Sequence, residues 1–290
     1  MKKQILCLCT ILFSAGAWST PTSTINWILN DFPPFIDVSG EMPGKGIADE
    51  MLRFIMPRMP EYTHHFEVAS IARAHGLMAQ KQLVCHPALL MNDERKKIME
   101  FSDPVFFILT HRILIREDKL ARFKPYMTAD GSIDALRLVK DSSLVTAVTE
   151  KRGYSPSINA ALSSVQGSPH ILKAGVQFSA PFNQLTSGWI DYLFSYPAEY
   201  GWYREQNAEA KKVKMKTLRI SGDPEFILGY VTCTKGEWGE QVIKKVNAAI
   251  KSAGTRPPWV DKTIFYTERS EVKKFEKTFN RHNPYRNAVN

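Results

Sequence analysis

Apolar residues along the chain fall alternately into short dense runs and into rows spaced three to four apart, the patterns of buried strands and amphipathic helices. Ile25–Leu29 reads as a strand that breaks at Asn30-Asp31 into an aromatic loop stiffened by Pro33 and Pro34. A Gly-rich turn follows, then a helix over Ala48–Arg58 ending near Pro57. Thr63–Val68 is a strand, and Ile71–Gln80 a helix with Ile71, Ala74, Leu77 and Met78 on one face. Met91–Pro104 (MNDERKKIMEFSDP) places Arg95 at the start of a helix that ends at Phe101-Ser102-Asp103-Pro104. Phe106–Ile115 is strand-rich. The middle then alternates helix Ile133–Lys140, strand Leu144–Val148, helix Ser157–Val165, strand His170–Ala174, helix Pro181–Ser187 and strand Ile190–Ser195. Ile220–Thr234 is strand-like again, and Gly239–Ser252 is a helix with Val242, Ile243, Val246, Ala249 and Ile250 on one face. Such alternation argues for an open α/β sheet, and periodicity alone permits a single doubly wound one.

The N-terminus adds a compartment. Met1-Lys2-Lys3, the apolar run Ile5–Phe13 and the site Ala15-Gly16-Ala17 are the parts of a secretory signal peptide, assigned to residues 1–19. No other stretch approaches the ~18 apolar residues of a membrane span. Losing Lys2 and Lys3, and no acid, lowers the net charge from +9 to +7. That excess suits an anionic ligand or an anionic envelope surface, and dispersed basic residues in an exported chain argue against nucleic acid. The most basic segment, Arg269 to Arg286, reads as a solvated helix face. Cys85 and Cys233 are the cysteines beyond residue 19. An even count in an oxidising compartment favours a disulfide, provided the strands ending in these residues share a lobe; two buried thiols are the alternative. No H-E-x-x-H or C-x-x-C occurs, so neither a metal nor a cofactor is expected.

Trp27–Ile47 (WILNDFPPFIDVSGEMPGKGI) and Met91–Pro104 together resemble the extracellular solute-binding proteins of family 3, the periplasmic receptors of ABC importers and their relatives. Those proteins carry a strand followed by PPF, a G-x-x-x-G-x-x-x-D turn, and later an arginine followed by FS-x-P. The resemblance is strong to about residue 107 and looser afterwards. It implies an α/β, two-lobed type II periplasmic binding protein fold with an inter-lobe cleft and two hinge crossings. Lobe one would span 20–110, lobe two 111–222, and the return to lobe one 223–290. It also implies a periplasmic monomer that captures a small molecule beyond the carboxyl ends of its strands, where hinge closure traps it. An ABC permease or a membrane receptor would be the partner.

The same resemblance marks candidate ligand-binding residues. Arg95 matches the arginine that holds a ligand carboxylate, for which a guanidinium fork is well suited. Asp31, Phe32 and Phe35 lie in the proline-stiffened loop, where family members place a ring on the ligand. Tyr154 and Ser155 follow the Leu144–Val148 strand. Ser155 as N-cap and Pro156 behind it start a helix whose free N–H groups would face the cleft. Gly188-Trp189-Ile190-Asp191 matches a G-x-x-D motif, but the aspartate expected beyond it for an ammonium is Tyr196, with Glu199 as a substitute one turn on. Without that carboxylate an α-ammonium would be left unpaired in a closed cleft, so a standard amino acid is disfavoured.

Binding without chemistry is the leading reading, and no catalytic residue is assigned. The competing readings are a cyclohexadienyl dehydratase-like enzyme on the same scaffold, with Glu199 or Asp31 as acid or base, and a ligand-sensing receptor module. G-x-S-x-G is missing, and Ser270 with Lys273 matches S-x-x-K only within a charged tail.

Overall fold

The computed structural model describes residues 23–149, 152–174 and 178–286. The expected signal peptide lies outside them. In chain order, β1 (Ser23–Leu29), α1 (Ile47–Ile55), β2 (Tyr62–Val68), α2 (Ile71–Ala79), β3 (Val84–Leu90), α3 (Asp93–Lys96), β4 (Met99–Phe101) and β5 (Phe106–Leu109) come first. Then follow β6 (Arg112–Arg116), α4 (Leu120–Phe123), α5 (Ala135–Val139), β7 (Thr146–Thr149), α6 (Pro156–Ser163) and β8 (Ile171–Ala174). After these come α7 (Ser179–Ser187), β9 (Tyr192–Ser195), α8 (Pro197–Gln206), α9 (Ala208–Lys212) and β10 (Met215–Leu218). The chain closes with β11 (Phe226–Thr234), α10 (Glu237–Lys251), α11 (Pro258–Tyr266) and α12 (Arg269–His282).

Two sheets result. One runs β2-β1-β3-β11-β4, with β5 also paired to β11; the other runs β10-β6-β9-β7-β8. β1 is buried on both faces. Ile25, Trp27 and Leu29 meet the helix row Ile47, Ala48, Met51, Leu52 and Ile55 of α1, while Ile28 meets Ala74 and Met78 of α2. Burial on both faces is what a parallel strand between helix layers requires. The α10 row Val242, Ile243, Val246, Ala249 and Ile250 closes the same core.

The strand-rich run Phe106–Ile115 divides at Thr110-His111. β5 pairs with β11 in the first sheet, whereas β6 pairs with β9 and β10 in the second. The return passes through residues 219–225, and the Thr110 N–H donates to the Glu225 carbonyl at 3.2 Å, tying one crossing to the other. β11 begins only at Phe226, later than Ile220–Thr234 suggested, and β10 was not foreseen.

One further expectation changes. The helix holding Arg95 ends at Lys96, because Met99 and Phe101, two apart, point into the core beside Met78, and β4 pairs with β11. The basic C-terminal helix has its solvated face, with Arg269, Lys273, Lys277 and Arg281 exposed, while Phe275 and Phe279 on the other face of α12 pack edge-on against Phe107. Cys85 and Cys233 stand opposite each other on β3 and β11 and form a disulfide. Their sequence separation of 148 gives the bond a chain-entropy contribution of roughly 2–5 kcal/mol. No helix among the described residues is long and apolar enough to cross a membrane.

Candidate functional site

A cavity of about 130 Å³ lies between the two sheets, where the loops after β1, β3, β7 and β9 converge. The loop after β1 is held by a carboxylate. Asp49, fully buried on α1, accepts the N–H groups of Asp37 at 2.9 Å and Gly46 at 2.7 Å. A Cβ on Gly46 would stand 2.4 Å from the Phe35 carbonyl oxygen, so only glycine lets the loop fold back here. Phe32 and Phe35 stack at 5.4 Å, and Phe32 meets Phe178 of the other lobe edge-on at 6.2 Å. The two lobes thus touch across the cleft.

Arg95 reaches the cavity from α3, which Asn92 caps by accepting the Arg95 N–H at 2.9 Å. Arg95 is 5% exposed; its guanidinium donates to the Leu90 carbonyl at 2.6 Å, while its Nε has no partner. No carboxylate among the described residues pairs with it. Burial pulls its pKa below the usual arginine value, with only Tyr196 opposing. Beside it His86 is buried, with Nε2 2.9 Å from the Asn30 Oδ1 and Nδ1 accepting the Ala88 N–H at 3.1 Å. Burial first, then Arg95, lowers its pKa to about 3, so His86 stays neutral behind the cavity wall formed by Asn30 and Ala88.

Arg152 is the second cation. Its Nη2 donates to Glu199 Oε2 at 2.8 Å, and its Nη1 lies 2.7 Å from Oε1. Its guanidinium carbon is 5.1 Å from the rings of Phe32 and Tyr154 and 5.3 Å from that of Tyr196. Burial disfavours this charge, but Glu199, with Tyr154 and Tyr196, more than offsets it and holds the pKa above the usual arginine value. The remaining wall is apolar, chiefly Ile71, Leu90, Phe106, Ile108, Phe182 and Phe194. Among the described residues Asp31 is the one carboxylate lining it; burial, and then Asp37, raise its pKa.

Asp31, Phe32, Phe35, Arg95, Tyr154 and Tyr196 therefore all line one cavity, and Ser155 and Glu199 do not. Ser155 occupies the N-cap position of α6, but its hydroxyl donates to Asp223 instead of accepting from the helix. Asp223 accepts the Ser157 N–H at 3.2 Å, so a carboxylate from the return crossing already fills the expected anion site. Glu199 is helical, as anticipated, but fully buried: it accepts the Tyr196 N–H at 2.7 Å and faces Arg152 rather than the cavity. No sequence motif marks Arg152, although it lies just beyond β7, where chain entering the cleft is expected. Phe178, at the N-cap of the weakly periodic α7, and Phe182 within it have a role that only the tertiary contact of Phe178 with Phe32 reveals.

No protein-family model matches this chain, and no curated protein matches it in sequence. Solved structures do match. The fold is that of the two-lobed periplasmic binding proteins. An ancestral arginine-binding protein bound to arginine is similar with TM-score 0.58 and 18% identity, over 89% of this chain and 97% of that one. The arginine-, lysine-, histidine-binding protein ArtJ from Geobacillus stearothermophilus is similar with TM-score 0.58 and 18% identity, over 88% and 99%. A histidine kinase sensor domain with similarity to periplasmic binding proteins gives TM-score 0.60 and 12% identity, over 88% and 95%. Within this periplasmic binding protein fold, the cavity described above lies between the lobes.

Proposed function

We propose that the chain is a periplasmic solute-binding protein, related to family 3, that captures a small carboxylic acid with an apolar body in the inter-lobe cavity. The observation that carries this reading is Arg95: a buried guanidinium in the cavity wall, with its Nε unpartnered and no carboxylate paired to it among the described residues. A buried arginine without a counter-anion is costly, and a ligand carboxylate would supply one with bidentate geometry. Phe32, Tyr154, Tyr196 and the apolar wall would cover the body of the ligand. The solved structures of this fold described above are, in two cases, amino-acid-binding proteins, and an amino acid also presents a carboxylate. Among the described residues the ammonium would meet no free buried acid, because Glu199 is engaged by Arg152 and Asp31, which lines the cavity, is exposed. Delivery to an ABC permease and reading by a membrane sensor are both compatible with such a site.

Mass spectrometry of small molecules co-purified with native protein would identify the ligand. Arg95→Ala should then weaken its binding by about 2–5 kcal/mol in calorimetric titration, with much of the loss in the off-rate. Phe32→Ala should cost less, about 1–3 kcal/mol, because it removes mainly apolar contact. Unchanged affinity in Arg95→Ala would make that arginine structural and withdraw the proposal.

A further inference from the structure

Arg152 has surroundings that would serve equally well for a bound cation from solution. Three aromatic faces, from Phe32, Tyr154 and Tyr196, stand 5.1–5.3 Å from its guanidinium carbon, and a fully buried carboxylate meets both of its terminal nitrogens. A carboxylate at the back of a desolvated aromatic cage is a recognition site for guanidinium or ammonium. The cage is assembled by both lobes, since Phe32 follows β1 and Glu199 lies on α8 beyond β9. Glu199 is also fixed independently of Arg152, because it accepts the Tyr196 N–H at 2.7 Å and the Ser195 hydroxyl at 3.3 Å. Phe32, Tyr154, Tyr196 and Arg152 itself all line the same cavity as Arg95.

We infer that Arg152 is a resident cation filling a guanidinium subsite of the cleft, and that it determines specificity by excluding ligands with their own cationic group. This deepens the reading of the cavity as a ligand site, and makes the side chain at 152 the choice between an anion receptor and a cation or amino-acid receptor.

The test is Arg152→Ala titrated with methylguanidinium chloride at millimolar concentration, followed by calorimetry and thermal shift. The variant should gain saturable binding at least about tenfold tighter than the wild type shows. Arg152→Ala/Glu199→Gln should lose that gain, because the anchoring carboxylate is gone. A folded Arg152→Ala that binds methylguanidinium no better than wild type overturns the inference, as does a double variant that keeps the gain. If Arg152→Ala is unfolded alone, methylguanidinium should restore its native circular dichroism, and failure to do so also overturns it. Methylguanidinium carries no carboxylate, so this outcome is independent of whether Arg95 grips an anion. Failure of one reading leaves the other standing.

Discussion

His86 accepts a backbone N–H on one ring nitrogen and lies beside Asn30 on the other, with Arg95 close by. A second proton would turn the acceptor nitrogen into a donor facing the Ala88 N–H. Its pKa is about 3 in the folded chain, against ~6.5 for a free imidazole. Between those values the unfolded chain binds a proton that the folded chain does not. The stability this group contributes is complete above ~6.5 and falls as pH drops towards 3, by up to ~5 kcal/mol. Burial lowers the pKa of His111 in the same direction. Urea denaturation from pH 7 to pH 4 should show about 3 kcal/mol of this loss, and His86→Gln should flatten the slope; an unaltered slope would contradict the buried neutral imidazole. The sequence made Arg95 and Phe32 legible because local motifs mark them. It could not reveal His86, Arg152 or Phe178, whose roles depend on side chains brought together from distant segments.

At the level of elements, α6 shows how a position can be read correctly and its chemistry missed. Ser155 and Pro156 mark where the helix begins, but Asp223, 66 residues beyond Ser157, accepts the N–H that a serine cap would take. Asp223→Ala should cost about 1–2 kcal/mol in chemical denaturation, and Ser155→Ala less, since the Ser155 hydroxyl only donates to that carboxylate. A larger loss from Ser155→Ala would return the cap to the serine. Most strands and the α1, α2 and α10 helices were readable because their apolar rows are long enough to fix a period. Elements such as β4 and β10 are short and owe their state to pairing with β11 and β6, which no local pattern records.

Across the whole molecule the lobes are joined by more than two crossings. α8 leaves the second sheet at Tyr196, and the Pro197 carbonyl accepts the Glu268 N–H at 3.2 Å, while Arg204 pairs with Glu268 at 2.8 Å. Arg112, at the start of β6, meets Glu271 of α12 at 3.3 Å. Gly201 makes this approach possible, since a Cβ there would stand 2.1 Å from the Tyr266 carbonyl oxygen. Gly201→Ala should therefore push α8 from α11, costing about 1–3 kcal/mol of stability, with an increased radius of gyration in solution scattering. Unchanged stability and dimensions would mean that the backbones are not pinned together here.

The placement of β11 also sets an order of assembly. All the strands of the second sheet lie in the uninterrupted segment 112–218, whereas the first sheet needs β11, from residue 226 onward, between β3 and its partners β4 and β5. A nascent chain that has emerged only as far as residue 218 can close its inner lobe, but must leave β3 an open edge able to pair with another chain. Long-range pairing of this kind is slow, because loop closure is required before any contact rewards it. The part of the protein made first thus completes its sheet last, and during that interval the open edge of β3 and the unpaired β4 and β5 are what a chaperone would have to cover.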